Sequence, residues 1–378
     1  MQLYQLGNIT DKKAALKTLG VESAGVSIMA KKMELFYFFI KDLKTPAANI
    51  LKQDALSIGA DLAVPGGVIL CEKPAYDCIL IGTKKHMEIL SKKELAQPFG
   101  LKTLANELKK FLSVETFPVQ IMGVINANDD SFFEGSRFLA EDAITQIEKM
   151  IHDGANIIDV GAVSSRPGAE EVNESEELKR IKPICDMIKE LKLNKKVTFS
   201  IDSTTPSVVE YALNSGFSIV NDITGASDEN IIKLALKKNV KLCIMHMKGT
   251  PQTMQKDPVY DDVIVEVSDF FEERIATCEK LGLNRKNIVL DVGLGFGKTL
   301  EHNLRLIKNL NHFKHFGCEL LIGASRKSMI DKIISSTTDK RLPGTLAIHL
   351  KAVENGVNIV RCHDVKEHAQ ALAVWKKL

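Results

Sequence analysis

The sequence predicts an α/β protein, a (β/α)8 TIM barrel preceded by a smaller α/β domain, and three observations carry that expectation. From Val119 onward, short β-branched apolar runs alternate with amphipathic helical stretches, as parallel strands each followed by a covering helix require. Eight such runs occur, and they fit in about 260 residues, the usual size of a closed (β/α)8 barrel. Polar residues stand at the end of every run, where a barrel gathers them around one mouth. An open doubly wound sheet gives the same alternation, because strand period is blind to closure; the strand count favours the barrel.

Taken in order, the runs are 119–125, 156–160, 197–201, 218–220, 241–245, 288–290, 319–322 and 358–360. Their polar ends are Asn126, Asp159, Asp202, Asn221 with Asp222, His246, Asp291, Ser325-Arg326-Lys327, and Arg361 with His363. Helical stretches include 137–152, 174–191, 207–214, 228–238, 262–281 and 367–376. A single polar residue at a strand end serves as well to satisfy backbone groups, but polar chemistry after all eight exceeds what capping needs.

The segment before the barrel has a different texture. Residues 32–41 are apolar and Phe-rich, 60–71 read as turn and strand around Pro65-Gly66-Gly67, and 76–81 as another strand. Residues 95–112 look helical, with breaks at Pro98 and Gly100. No chemical motif, repeat or low-complexity tract marks this segment. A chain of 378 residues exceeds what one core usually organises, so two domains are expected, 1–115 and 116–378.

Composition bounds the partners. A formal charge of +2, from 50 basic and 48 acidic side chains, gives no global attraction to nucleic acid or membrane. Neither is expected as a partner, and any anion site must be local. The seven cysteines are scattered without a Cys-x-x-Cys pair, which reads as reduced thiols rather than a zinc site. The amino terminus lacks a basic segment followed by a long apolar one, so a cytoplasmic location is expected.

The strand-end motifs are specific. The first is Asn126-Ala127-Asn128-Asp129-Asp130-Ser131-Phe132 and the second Ser164-Ser165-Arg166-Pro167-Gly168-Ala169. Ser200-Ile201-Asp202-Ser203, Val220-Asn221-Asp222-Ile223 and Met245-His246-Met247-Lys248-Gly249-Thr250-Pro251 follow. Then come Asp291-Val292-Gly293-Leu294-Gly295-Phe296-Gly297-Lys298-Thr299, Gly323-Ala324-Ser325-Arg326-Lys327-Ser328, Arg341-Leu342-Pro343-Gly344-Thr345 and Val360-Arg361-Cys362-His363-Asp364. The glycine-rich stretch is neither a G-x-x-x-x-G-K-T phosphate loop, since the first glycine would fall at Val292, nor G-x-G-x-x-G, since its third glycine is one place early. In this order and spacing, 119–378 resembles the dihydropteroate synthases. It departs from their pattern at Asn128, Asp129 and Val292, where Thr, Pro and Pro are usual.

The resemblance implies condensation of 6-hydroxymethyl-7,8-dihydropterin diphosphate with 4-aminobenzoate, giving 7,8-dihydropteroate and diphosphate in folate biosynthesis. Its chemistry suits the residues. Asn126 offers an amide oxygen to Mg²⁺ held mainly by diphosphate and water. Ser165, Arg166, Arg361 and His363 suit the diphosphate, since a guanidinium fork takes two oxygens at once. Asp202, Asn221 and Asp291 suit the pterin's donor-rich edge, with Met245, Phe296, Lys327 and Arg361 around the ring. Phe132, Pro167 and Ser328 would meet 4-aminobenzoate, and Asp130 with Phe132 would ride a loop that closes over the centre. Asp130, Phe132, Ser165, Arg166, Lys327, Arg361 and His363 form the expected catalytic set. No protein nucleophile is needed, so the absence of a triad motif is in keeping with the reaction. A homodimer is the expected assembly.

Two other readings use the same features. A pterin-binding methyltransferase domain resembles the aspartate and asparagine motifs but does not need both anion loops, 165–167 and 325–328. A catalytically weak pterin binder would explain the altered Asn128, Asp129 and Val292, though not the retention of the other polar residues.

Overall fold

The computed structural model describes residues 1–7, 9, 11–127, 136–163 and 172–378, with the side chains of 136–139 left aside. The chain divides into two compact units, Met1–Val114 and Glu115–Leu378.

In the first unit, α1 (Lys12–Thr18) and α2 (Ser23–Lys32) precede β1 (Leu35–Lys44), α3 (Thr45–Ser57), β2 (Asp61–Ala63), β3 (Ala75–Thr83), α4 (Lys84–Lys93) and α5 (Leu101–Leu112). The strands form an antiparallel sheet of order β1-β3-β2. Alternation along β3 buries Cys78 and Leu80, which pack with Ala47, Leu51, Met87 and Leu90 into a separate core. Helices α1 to α4 lie outside the elements expected from the sequence. Residues 60–71 supply only three strand residues and then a short 3-10 turn, Gly66–Val68, and the helix expected over 95–112 begins after Gly100, whose φ is 93°.

The second unit is a closed barrel. Its strands are β4 (Gln120–Asn126), β5 (Ile157–Gly161), β6 (Thr198–Asp202), β7 (Ile219–Asp222), β8 (Lys241–Met245), β9 (Ile288–Asp291), β10 (Glu319–Ile322) and β11 (Ile359–Cys362). All eight pair in parallel, in ring order β10-β11-β4-β5-β6-β7-β8-β9. Closure excludes the open sheet.

Helices surround the ring: α6 (Ser136–His152), α7 (Glu174–Glu190), α8 (Pro206–Asn214), α9 (Glu229–Lys238), α10 (Val263–Lys280), α11 (Leu300–Lys308), α12 (Ser328–Ile333), α13 (Leu342–Glu354) and α14 (Val365–Trp375). Helix α9 shows the local logic. The Asp228 carboxylate caps it by accepting from Asn230 N, Ile231, Ile232 and Ala235 face the core, and Asn239 ends it in the left-handed conformation. No helix among the described residues is long and apolar enough to cross a membrane.

Candidate active site

Strand alternation decides which residues face the barrel axis. Met122, Ile157, Ile219, Cys243, Val289, Leu321 and Ile359 form one buried apolar layer, contributed by every strand but β6. Two residues further along the same faces stand Asp159, Asn221, Met245, Asp291 and Arg361. Asp202 joins this upper layer, because it pairs in register with Asn221. The apolar layer is therefore the floor of a basin whose walls are polar.

The groups in that basin bind one another. Asn221 Nδ2 donates to Asp159 Oδ2 at 3.0 Å, and Arg361 Nε donates to the same oxygen at 2.7 Å. Arg361 Nη2 reaches Asp202 Oδ2, also at 2.7 Å. Burial pushes the Asp202 carboxyl up to about 7; Arg361 opposes this, and the charge of Asp159 adds to it. Burial works against the Arg361 charge too, but Asp159 and Asp202 outweigh it and hold the guanidinium above its ordinary pKa. Asp159 Oδ1 and Ser200 Oγ are buried without a hydrogen-bond partner among the described residues. Such orphan groups invite a polar ligand.

Neighbouring loops fix this layer from behind. On α7, buried Glu177 accepts from Ser203 Oγ and Thr205 Oγ1, each at 2.6 Å, and so ties down the chain after Asp202. Asp222 accepts from the backbone N–H groups of Thr224 and Ala226. Its carboxylate is therefore spent on the turn, and Asn221 alone of that pair is bonded into the basin.

A second cluster comes from the loops after β9 and β10. Lys327 Nζ lies 4.6 Å from the centroid of the Phe296 ring and donates to the Leu294 carbonyl. Burial lowers the Lys327 ammonium to about 8, while the Asp291 carboxylate pulls the other way. Asp291 is itself raised by burial, against the opposing Lys327 charge and the Gly293 N–H that donates to it at 2.8 Å. Behind this pair Lys298 is buried, its Nζ within 3.2 Å of the carbonyls of His246, Gly293 and Phe296 and 2.9 Å from His246 Nδ1. A Cβ at Gly293, where φ is 63°, would stand 2.0 Å from the His246 carbonyl oxygen, so this turn requires glycine. His246 is buried, edge-on to Phe270 and held far below the usual imidazole pKa, at about 2, by burial and Lys298. It acts as packing.

At the rim, Ser325 Oγ is 2.9 Å from His363 Nδ1. Arg326 has φ of 56°, a left-handed backbone held by Thr345 Oγ1, which accepts its N–H at 2.9 Å, and by Arg341 Nη1, which donates to its carbonyl at 3.1 Å. Its side chain is committed to Asp364, with Nε 3.0 Å from Oδ2. Ser328 is exposed at the start of α12, and Met245 is buried at the end of β8. Asn126, exposed at the end of β4, pairs with Gly161, which pairs with Asp202. Asp130, Phe132, Ser165, Arg166 and Pro167 lie outside the described residues, as do Asn128 and Asp129.

The basin thus joins Asp202, Asn221 and Arg361 directly, and Asp291, Phe296 and Lys327 beside them. Two contributors were absent from the expected site. Asp159 stood out only as a strand-end residue, although a carboxylate inside the run Ile157-Ile158-Asp159-Val160 demands a cationic partner, and Arg361 is that partner. Lys298 read as the tail of a glycine motif. No sequence pattern reveals that three carbonyls converge on it.

Comparison with known proteins finds relatives of this chain in both sequence and fold. The family model described as pterin binding enzyme matches residues 122–363. The bifunctional dihydropteroate synthase/dihydropteroate reductase of Helicobacter pylori is 41% identical over 367 residues, covering 97% of this chain and 96% of that protein. The dihydropteroate synthase of Escherichia coli is 42% identical over 255 residues, 67% of this chain and 89% of that one. Among solved structures, the Yersinia pestis dihydropteroate synthase in a sulfonamide drug complex superimposes with a TM-score of 0.64 at 35% identity, over 69% of this chain and 94% of that one.

Proposed function

The chain belongs to the pterin-binding enzymes and, among them, to the dihydropteroate synthases, and on that premise we propose how its basin performs the transfer. One observation supports the reading above all: Arg361, Asp159, Asp202 and Asn221, from four strands, form a single hydrogen-bonded array at the carboxyl ends of the barrel strands. Asp202, Asn221 and Asp291 would take the amino and ring N–H groups of the dihydropterin edge, with the ring between Met245, Phe296 and Lys327. Arg361 and His363 would face the diphosphate, together with Ser165 and Arg166.

The reaction breaks the C–O bond between the pterin's exocyclic methylene and diphosphate, and the electron pair leaves with the diphosphate. The amine of 4-aminobenzoate attacks that carbon and sheds a proton to solvent. The chain contributes position and charge. Ammonium and guanidinium groups lie at the mouth, and carboxylates hold the ring that bears the developing positive charge. Ser328, with Phe132 and Pro167, would meet 4-aminobenzoate.

Mg²⁺ fits this arrangement as an ion carried by the substrate. Asn126 supplies one hard oxygen at the rim, while no cluster of three or more His, Cys, Asp or Glu side chains able to hold a metal occurs among the described residues. When bound, the ion would offset charge on the leaving diphosphate. The test is turnover: purified chain given dihydropterin diphosphate, 4-aminobenzoate and Mg²⁺ forms dihydropteroate and diphosphate in equal amounts, and binding without diphosphate release contradicts the reading. Omission of Mg²⁺ in the presence of chelator lowers the rate.

A specific observation favours a second activity. The Helicobacter relative that aligns across both units carries dihydropteroate reductase in its name, whereas the Escherichia relative, aligned over 67% of this chain, carries the synthase alone. We therefore propose that this chain also reduces dihydropteroate, adding a hydride from a reduced nicotinamide or reduced flavin and a proton from solvent. Failure of dihydropteroate to oxidise either donor in the presence of the full chain removes this second reading. A cytoplasmic homodimer is the proposed setting. Its support is the seven unpaired cysteines, six of them buried, which accord with a reducing compartment, and the mass in solution tests the assembly.

A further inference from the structure

The loops after β10 and β11 are cross-linked three times. Two links are the Ser325–His363 contact and the pairing of Arg326 with Asp364. The third runs through two histidines, each 1% exposed, on α13 and α14. Ala324 N is 3.0 Å from His349 Nε2, His349 Nδ1 is 2.8 Å from His368 Nε2, and His368 Nδ1 is 2.6 Å from the Asp364 carbonyl oxygen.

The donor at one end fixes every proton in this chain. A backbone N–H can only donate, so His349 Nε2 carries no proton and the ring's proton sits on Nδ1. That N–H donates to His368 Nε2, which leaves the second ring protonated on Nδ1 and donating to Asp364 O. Both rings are neutral, and both in the same tautomer. Burial favours this state, lowering each imidazole below its ordinary pKa.

We propose that His349 and His368 are positioning residues for the transfer reaction: their one-way hydrogen-bond chain holds the loop bearing Lys327 in register with the loop bearing His363. Neither ring touches substrate. The inference rests on the synthase reading, which assigns Lys327 to the pterin and His363 to the diphosphate. An apolar pair could fill the same volume, yet it would leave the buried Ala324 N–H without an acceptor and the spacing of the loops undefined.

Two experiments on the full chain test this. Histidine-selective ¹⁵N NMR should find His349 and His368, among nine histidines, both protonated on Nδ1; a proton on Nε2 of either overturns the proposal. Steady-state kinetics should show His349→Leu lowering kcat about 10- to 100-fold, with KM for both substrates within about threefold, the signature of lost transition-state geometry. His349→Gln, whose amide oxygen accepts from Ala324 N–H, should recover kcat to within about fivefold of the parent. Equal losses in the two variants, or no loss in either, contradict the proposal. Should the Leu variant fail to fold, the tautomer measurement on the parent decides. A parent chain without turnover would sink the synthase reading and leave the tautomer result intact.

Discussion

Arg361 and Asp159, 202 residues apart in sequence, meet at 2.7 Å inside the barrel, and the same guanidinium holds Asp202 at 2.7 Å. A buried carboxylate and a half-buried one share one cation. Lysine preserves the charge but loses the planar fork, so Arg361→Lys leaves one carboxylate unpaired. We expect kcat/KM for dihydropterin diphosphate to fall about 100-fold, measured at fixed 4-aminobenzoate, with the chain still folded by circular dichroism.

Lys327 predicts a pH dependence. Burial lowers its ammonium to about 8, so the charge is present below that pH and lost above it. kcat/KM should decline as pH rises through about 8, and Lys327→Met should both reduce kcat/KM about tenfold or more at pH 7 and remove that limb of the profile. Unchanged activity in the variant takes Lys327 out of the site.

In the first unit Glu94 is buried, and burial, reinforced by the charge of Asp54, raises its carboxyl from 4.5 to about 7. Both of its oxygens lack a hydrogen-bond partner among the described residues. A raised folded-state pKa stabilises the fold below the unfolded value, and that contribution is lost as pH rises through the folded one. Glu94→Gln should therefore raise the melting temperature relative to the parent at pH 8.5 and leave it nearly unchanged at pH 4.5. An equal effect at both pH values rejects the protonated carboxyl.

How much of this was legible in the sequence follows from what each signal encodes. Strands buried on both faces read as short apolar runs, so β4 to β11 were visible, and the polar residues that interrupt them pointed to the basin. Asp202, Asn221 and Arg361 were found because each sits in a short distinctive motif, and the structure bonds them into one array through Asp159. His349 and His368 gave no signal, since each lies alone in a helix and gains meaning only from a partner on another. Lys298 was hidden for the same reason. Helices α1 to α4 were not anticipated, because that segment carries no motif and its apolar residues are shared among elements too short to set a clear period.

The basin as the seat of the dihydropterin ring is the central claim, and equilibrium binding of a dihydropterin lacking diphosphate tests it without reference to catalysis. Asp291 is the residue to change, because its carboxylate is buried and its one hydrogen bond among the described residues, from Gly293, survives in the amide. For Asp291→Asn the account predicts a Kd raised at least about tenfold, as expected for a buried charge-assisted hydrogen bond lost to the ligand. A folded variant that binds the pterin as tightly as the parent would contradict it.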